Sequence, residues 1–425
     1  MKPSLLPVSR SAPVPGLRGL AALGRRAILS RFAALRYGTL TLIEPDGRHT
    51  FGAITPDCDL AVTIEVLDPQ FWADAAFGGT VGAGESYIHG HWRAKDLTAL
   101  VRLMVRNRAL MEDLEGGLAH FTAPLKRLLH WANRNSRAGS QRNIAAHYDL
   151  GNDFFRLMLD ETMMYSCGIY PAGSSSLHEA QLTKLETICR KLDLRPTDRL
   201  VEIGTGWGGL AIHAARNFGC HVTTTTISRE QHAHATAAVR AAGLESRVTL
   251  LLDDYRDLTG TFDKLVSIEM IEAVGHRYLD TYLATCSRLL KPNGSMLLQA
   301  ITLQDQFYED ALRSVDFIQR FVFPGSFIPS VTAITASLRR ATDMKLFHLE
   351  DIGPHYARTL RDWGDNVHRH VGAIRALGYP EEFLRLWDFY IAYCEGGFAE
   401  RQLGDVQMLL TKPRCGRAPI TGVPA

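Results

Sequence analysis

Hydrophobic positions after residue 196 fall into short apolar runs, which alternate with segments where apolar residues recur every three or four positions. The apolar runs are RLVEIG, CHVTTTTIS, RVTLLL, FDKLVSIEM and GSMLLQAI. Three helical segments lie between them: one begins at Gly209, one begins at Arg229, and the third lies near 278–290. This alternation predicts an open, mostly parallel α/β sheet. Two later runs, MKLFHLEDIG and DVQMLLTK, predict an antiparallel, hairpin-like pair that completes a seven-stranded sheet.

The chain before residue 115 has a different pattern, with strand-like runs such as GTLTLIEPDG and LAVTIEVLD between glycine-rich turns. The helical segment LTALVRLMVRNRALMEDLE follows them. This pattern predicts a smaller, mixed α+β domain over residues 1–120. The basic segment HFTAPLKRLLHWANRNSRAGSQRN, with its Ser/Gly break, predicts a linker over 121–145, and the α/β domain then occupies 146–425.

The 47 basic residues nearly balance the 45 acidic ones, and this balance argues against nucleic-acid binding. Charge is informative only in local stretches of the chain. No acid precedes Glu44, and a second acid-free stretch runs from 116 to 148. The segment GLRGLAALGRRAILSRFAALRYG predicts a basic amphipathic helix. Such a helix either binds an anionic membrane surface or docks on its own domain, and the pattern leaves both interpretations open. The basic residues before Glu44 are Lys2, Arg10, Arg18, Arg25, Arg26, Arg31 and Arg36.

The lengths of the apolar runs and the spacing of the cysteines indicate the cellular compartment of the protein. No run reaches the eighteen apolar residues of a membrane span, and no secretory signal pattern is present. The seven cysteines form no C-x-x-C pair, and the sixteen histidines lack metal-ligand spacing. We therefore expect a cytoplasmic protein in a reducing compartment, without a metal site.

The stretch VEIGTGWGGL matches G-x-G-x-x-G after a predicted strand, and ligands of such sheets bind at the carboxyl ends of the strands. A dinucleotide fold would place an acid at the end of the next strand, which here reads TTTTIS. Trp207 between the glycines is an awkward neighbour for a pyrophosphate. Glu202 suits a ligand with an ammonium group, and these features favour S-adenosylmethionine over a nicotinamide cofactor.

Several longer motifs occur in a fixed order over residues 146–410. They are AHYDLGNDFFRLML, MMYSCGIY, VEIGTGWGGL, TISREQ, LLDDYRDL, SIEMIEAVGHRYLDTY, FVFPGSFIPS, GPHYARTLRDW and FYIAYCEGGFAERQLGDVQMLL. In these motifs the chain resembles the cyclopropane-fatty-acyl-phospholipid synthase family, which includes mycolic acid cyclopropane synthases and related lipid methyltransferases. The stretch ESYIHGHWRAKDL resembles the small N-terminal domain of its longer members.

The resemblance implies an S-adenosylmethionine-dependent methyltransferase with a Rossmann-like sheet and a helical lid insertion. It places Thr226 and Gln231 at the ribose, in place of the missing acid, and Tyr255 by the adenine. The cofactor-binding residues that it implies are Tyr165, Ser166, Glu202, Gly204, Thr205, Gly206, Trp207, Gly208, Thr226, Gln231, Tyr255 and Arg256.

The implied reaction transfers a methyl cation to a cis double bond of an acyl chain, and a base then removes a proton so that a cyclopropane ring closes. In the family a bound bicarbonate ion is held as this base. The matching residues here are Cys167, Glu272, Gln299, Ile301 and Tyr356. The chain departs from the pattern at Gln299, because LLQAI replaces the family's LLHTI, and Gln donates hydrogen bonds but carries no charge.

This departure leaves the product open. We expect cyclopropanation of an unsaturated phospholipid ahead of a methylene- or methyl-branched product. A small-molecule N- or O-methyltransferase and an inactive lipid-binding protein are the remaining alternatives. The insertion FYEDALRSVDFIQRFVFPGSFIPS is expected to line the acyl pocket with one face and to pack on the sheet with another. The basic segments are expected to hold the enzyme at the inner face of the membrane. The sequence also leaves a homodimer open.

Overall fold

A computed structural model describes residues 17–110, 151–171 and 176–420. These residues form two compact units. One unit contains residues 17–110 together with Arg313–Pro324 and Leu360–Gln402, and the other contains the remaining described residues. The predicted linker 121–145, the boundary at 120 and the whole second acid-free stretch lie outside the described residues, so the predicted domain boundaries stay a prediction.

The described helices and strands follow one another in this order: α1 (Leu17–Phe32), β1 (Gly38–Glu44), β2 (Gly47–Ala53), β3 (Ala61–Val66), α2 (Gln70–Ile88), β4 (Trp92–Ala94), α3 (Leu97–Arg106), α4 (Asn152–Met158), α5 (Leu177–Leu192), β5 (Arg199–Ile203), α6 (Gly209–Phe218), β6 (His221–Thr225), α7 (Arg229–Ala241), β7 (Val248–Leu251), β8 (Phe262–Ile268), α8 (Leu279–Leu289), β9 (Leu290–Leu303), α9 (Tyr308–Ala311), α10 (Phe317–Phe321), α11 (Val331–Ala341), β10 (Lys345–Asp351), α12 (Gly353–Arg369), α13 (Val371–Ala376), α14 (Glu381–Ala399) and β11 (Leu403–Thr411). None of the described helices is long and apolar enough to cross a membrane.

The unit that contains the N-terminal residues is built on a four-stranded sheet in the order β2-β1-β3-β4. Helix α1 packs against α2, its Ile28 and Phe32 side chains are buried, and Arg25 forms a 2.6 Å ion pair with Glu44. The basic helix therefore docks on its own domain, while Leu23 on its other face stays half exposed, at 52%.

The same unit also takes in segments from much later in the chain. Helix α14 packs against α2 and α3, and Arg102 of α3 forms a 2.7 Å ion pair with Glu400 just beyond α14. Phe317 of the lid insertion is fully buried, with its ring centroid 4.6 Å from that of Phe389. Phe317 is therefore a packing residue, but it packs in this unit, whereas the sequence analysis expected the packing face of the insertion to lie on the large sheet.

The other unit confirms the predicted α/β fold. Its seven-stranded sheet has the order β10-β11-β9-β8-β5-β6-β7. Strands β5 to β9 pair in parallel, and β11 pairs antiparallel with both β9 and β10. The last two strands pair as predicted but are not a hairpin, because α12, α13 and α14 lie between them in the chain.

Helices cover both faces of this sheet, which is why its central strands are apolar runs without strict alternation. Leu265 and Val266 on β8 are both fully buried, as are Leu297 and Leu298 on β9. Because β5 to β9 run parallel, the loops that follow them meet at one edge of the sheet, and the predicted functional residues lie at this edge.

Candidate active site

The glycine loop follows β5 and leads into α6. Gly204, Gly206 and Gly208 have φ angles of 104°, 53° and 96°, a left-handed region that favours glycine. The backbone amides of Gly204 and Thr205 each donate to the Thr225 carbonyl at 3.1 Å, which ties the loop to β6. A Cβ atom at position 204 would lie 3.3 Å from Cγ of Met270, so this loop contacts the segment after β8.

Glu202 lies directly below this loop, on β5. Its side chain is nearly enclosed, and its Oε2 atom accepts a 2.6 Å hydrogen bond from the Thr224 hydroxyl. Burial raises the pKa of Glu202 to about 8, since a carboxylate is poorly solvated there. A cationic ligand at the loop would favour the ionised form, so Glu202 fits the ammonium group expected of S-adenosylmethionine.

Aromatic side chains close one side of the loop. Trp207 is buried, and its indole Nε1 donates to Asn152 Oδ1 of α4 at 2.7 Å. The ring centroid of Phe155 lies 4.9 Å from that of Trp207 and 5.4 Å from that of Tyr165. Trp207 thus packs against α4 and connects the loop to the YSC segment.

The predicted ribose residues lie after β6, where the Thr226 hydroxyl donates to Gln231 Oε1 at 3.0 Å. Tyr255 lies after β7, with its ring edge-on to that of Tyr282 at 5.5 Å. Arg256 is held by a 2.6 Å ion pair with Asp254. The predicted cofactor residues from Glu202 to Arg256 therefore lie at the carboxyl ends of three neighbouring strands, β5, β6 and β7, whereas Tyr165 and Ser166 lie in the segment ahead of α5.

Cys167 and Ser166 are both buried beside α5. Burial raises the pKa of the Cys167 thiol well above its ordinary value, and the thiol donates to the Gly168 carbonyl at 3.2 Å. The Ser166 hydroxyl accepts a 2.6 Å hydrogen bond from Nζ of Lys184. Cys167 contributes its backbone amide to the site, which donates to Oε1 of Glu269 at 2.9 Å.

Glu269, at the end of β8, is the centre of the predicted catalytic residues. Its Oε1 atom also accepts a 2.8 Å hydrogen bond from Gln299 Nε2, and its Oε2 atom accepts one of 2.5 Å from the Tyr356 hydroxyl. Its φ angle of 46° is unusual for a residue with a side chain, and such backbone strain is concentrated at functional sites.

Glu272 lies one turn further along the chain. Its Oε1 atom accepts a 2.6 Å hydrogen bond from the Ile301 amide, and its buried Oε2 atom has no hydrogen-bond partner among the described residues. Burial, together with the negative charge of Glu269, raises the pKa of Glu272 to about 8. Glu272 therefore stays largely protonated at neutral pH.

All five predicted catalytic residues meet here, but their donors do not fit a bound bicarbonate. The Cys167 amide, the Gln299 amide group and the Tyr356 hydroxyl donate to Glu269, and the Ile301 amide donates to Glu272. Each of the donors expected to hold bicarbonate thus has a protein carboxylate as its partner.

The sequence analysis missed several residues of this network. Asp405, fully buried on β11, accepts from Gln299 Nε2 at 2.9 Å. Gln407 donates to Gln299 Oε1 at 3.0 Å and accepts from Nζ of Lys191 at 2.7 Å. Asp405 and Gln407 are two residues apart on a strand, so they share a face, which was the only signal for them in the sequence.

Comparison with known proteins decides the family. The sequence profile of the mycolic acid cyclopropane synthetase family matches residues 135–408. The chain belongs to this family. It is therefore an S-adenosylmethionine-dependent enzyme of the methyltransferase and cyclopropane synthase type.

Individual members of the cyclopropane synthetase family are similar over most of the chain. Tuberculostearic acid methyltransferase UfaA1 of Mycobacterium tuberculosis is 36% identical over 94% of each chain. Cyclopropane-fatty-acyl-phospholipid synthase of Escherichia coli is 36% identical over 82% of this chain and 87% of its own. The structure of mycolic acid cyclopropane synthase CmaA1 complexed with SAH and CTAB is similar with a TM-score of 0.60, at 30% identity, covering 64% of this chain and 98% of that one.

Cofactor binding should release a proton from Glu202. The ligand-free carboxyl group, with its pKa of about 8, is mostly protonated at pH 7, and the cofactor's positive charge lowers that pKa. We expect roughly one proton released per cofactor bound at pH 7, and tighter binding as the pH rises from 6 to 8. Calorimetry in two buffers of different ionisation enthalpy measures the release.

Glu202→Gln should bind the cofactor more weakly and without this proton release. Glu272→Gln is the matched control, because Glu272 has a similarly raised pKa. This variant shows how much of the proton release comes from Glu272. An equal proton release from wild type and Glu202→Gln would remove Glu202 from the cofactor site.

Proposed function

We propose that the enzyme transfers the methyl group of S-adenosylmethionine to a cis double bond in an acyl chain of a phospholipid and closes a cyclopropane ring. The observation that carries this proposal is the pair of carboxyl groups, Glu269 and Glu272, beside the cofactor loop. Met270 lies between them in the chain and contacts Gly204 of that loop. A methyl donor and a base are thus supported at the same edge of the sheet.

The reaction demands shielding of a cation. S-adenosylmethionine, when bound, supplies an electrophilic methyl group from its sulfonium. The rings of Phe155, Tyr165 and Trp207 pack together beside the cofactor loop, and aromatic rings stabilise positive charge that lies over their faces. The Glu269 carboxylate stabilises the positive charge that develops on the acyl chain, because a fixed charge acts strongly where water is excluded.

A methyl- or methylene-branched product is the second candidate. Gln299 in place of the family's His favours it, because a changed base site gives the cation time for a hydride shift. The relative named tuberculostearic acid methyltransferase, similar over 94% of both chains, also supports it.

The substrate is proposed to be reached at the inner, cytoplasmic face of a membrane. On α1 the side chains of Leu20 and Leu23 are 46% and 52% exposed, and Arg26 on the same side of the helix is also exposed. Exposed leucines beside a basic residue suit the boundary between anionic headgroups and acyl chains. Docking of α1 through its other face leaves this side available.

The product assay tests the function directly. Purified enzyme is incubated with S-adenosylmethionine and vesicles of a cis-unsaturated phospholipid, and the extracted acyl chains are examined by mass spectrometry and proton NMR. We expect one added CH2 unit and upfield cyclopropane protons. Olefinic protons of an exocyclic methylene would support the second candidate instead, and unchanged acyl chains would contradict both.

Vesicle sedimentation tests the membrane surface. Leu23→Glu should weaken binding to phosphatidylglycerol-containing vesicles about tenfold or more, because burying a leucine side chain contributes about 1.5–3 kcal/mol. Leu377→Glu is the matched control, since Leu377 is 42% exposed at the end of α13. If both variants bind vesicles like wild type, α1 is not the membrane contact.

A further inference from the structure

We propose that Glu269 itself is the base of the reaction and occupies the place in which the family resemblance puts bicarbonate. This inference rests on the proposed transfer of a methyl group to an alkene. It is carried by the hydrogen bonds of the Glu269 carboxylate and by the enclosure of the acids around it.

The hydrogen bonds reproduce an anion site. A backbone amide, from Cys167, and two side-chain donors, from Gln299 and Tyr356, converge on the two oxygens of Glu269 at 2.5–2.9 Å. Three donors that converge on one carboxylate are the arrangement in which proteins bind anions. A bicarbonate ion could take these donors only by displacing Glu269 and leaving a second negative charge next to it.

The two neighbouring acids, Asp405 and Glu272, have raised pKa values. Burial and the charge of Glu269 raise the pKa of Asp405 well above its ordinary value, and they raise that of Glu272 to about 8. Like charges held this close cannot all ionise, so the site keeps its negative charge on the carboxyl group with the most donors. Lys184, buried beside Ser166, supplies a nearby positive charge.

Access separates Glu269 from Asp405. Asp405 is fully enclosed and cannot touch a substrate, whereas Glu269 keeps part of its surface accessible. Glu272 is also partly accessible, but it is largely protonated at neutral pH and cannot accept a proton in that form. Of these three acids, Glu269 is the one that combines an accessible surface with three hydrogen-bond donors.

Two amide side chains fix the direction of the hydrogen bond from Gln299. Lys191 has only donors, so the Gln407 side chain must turn its oxygen toward Nζ of Lys191 and its nitrogen toward Gln299. Gln299 then accepts through its oxygen and presents its nitrogen to Glu269 and Asp405. Gln299, Gln407 and Lys191 are positioning residues for the base.

The proposed chemistry balances with Glu269 as the only proton acceptor. The π pair of the alkene forms the bond to the transferred methyl carbon, and the carbon–sulfur pair stays on the sulfur. Glu269 then takes a proton from that methyl group, and the C–H electron pair closes the ring. If a hydride shift comes first, the same proton removal gives the exocyclic methylene. The proton on Glu269 passes to water when the product leaves.

Bicarbonate dependence is the first test. Wild-type enzyme in CO2-depleted buffer should transfer methyl groups to lipid at the same rate as in buffer with added bicarbonate. Carbon-13 bicarbonate should show no saturable NMR line broadening with the wild-type protein. Saturable binding together with a lower rate after depletion would overturn the inference while leaving the proposed function intact. Wild type without any methyl transfer to lipid would instead overturn the proposed function.

Glu269→Gly supplies a gain-of-binding test. Glycine accepts the φ angle of 46°, so this variant should fold, which cofactor calorimetry verifies. Removing the carboxylate takes away the acceptor that the Cys167 amide, the Gln299 amide group and the Tyr356 hydroxyl share. The variant should therefore lose turnover in CO2-depleted buffer and acquire saturable bicarbonate binding. A folded variant with wild-type turnover in CO2-depleted buffer would contradict the role of Glu269.

Glu269→Gln and Asp405→Asn form a matched pair. Both replace a carboxyl group by an amide of the same shape, but only Glu269 carries charge in our account. We expect Glu269→Gln to slow turnover at least about 100-fold, as loss of a general base does. Asp405→Asn should slow turnover much less, and both variants should still bind the cofactor. The reverse ranking would assign the base to Asp405.

Discussion

A single carboxylate, Glu269, holds together three parts of the chain that are far apart in sequence. Its partners are Cys167 ahead of α5, Gln299 on β9 and Tyr356 on α12. A half-buried charge of this kind is stable only if its hydrogen bonds are complete, so the positions of these segments are constrained by one side chain. The strained backbone at Glu269 is a cost that these contacts offset.

The parallel sheet explains why the cofactor loop and the acids are neighbours. β5 and β8 pair directly and in parallel, so the loops after them leave the sheet side by side. The contact between Gly204 and Met270 is the consequence of this pairing. The fold thereby places the site for a sulfonium cofactor next to the acids that follow β8. A positively charged cofactor and a carboxylate attract each other, so the two neighbouring sites are electrostatically complementary.

Much of this arrangement could be predicted from local pattern. Hydrophobic runs located the strands of the large sheet, and the glycines marked the cofactor loop, because both signals depend on residues close together in sequence. The role of Glu269 could not be predicted this way. In SIEMIE it is one of two acids after a strand, and only its spatial neighbours distinguish it from Glu272.

Features that depend on distant pairing were also missed. The hydrogen bond between Gln299 and Gln407 exists because β9 and β11 pair in a register that places them opposite each other. The burial of Phe317 against Phe389 depends on α14, from which α10 is separated in the chain by four other elements. The aromatic side chain of Trp207 suggested steric conflict in sequence, but its packing against α4 could be seen only in the fold.

The most direct test of the central claim is a high-resolution crystal structure of the enzyme grown with S-adenosylhomocysteine and bicarbonate. Our account predicts electron density for the Glu269 carboxylate between the Cys167 amide and the Tyr356 hydroxyl, with no separate anion there. A planar carbonate species bonded to these donors, with Glu269 turned away, would contradict it.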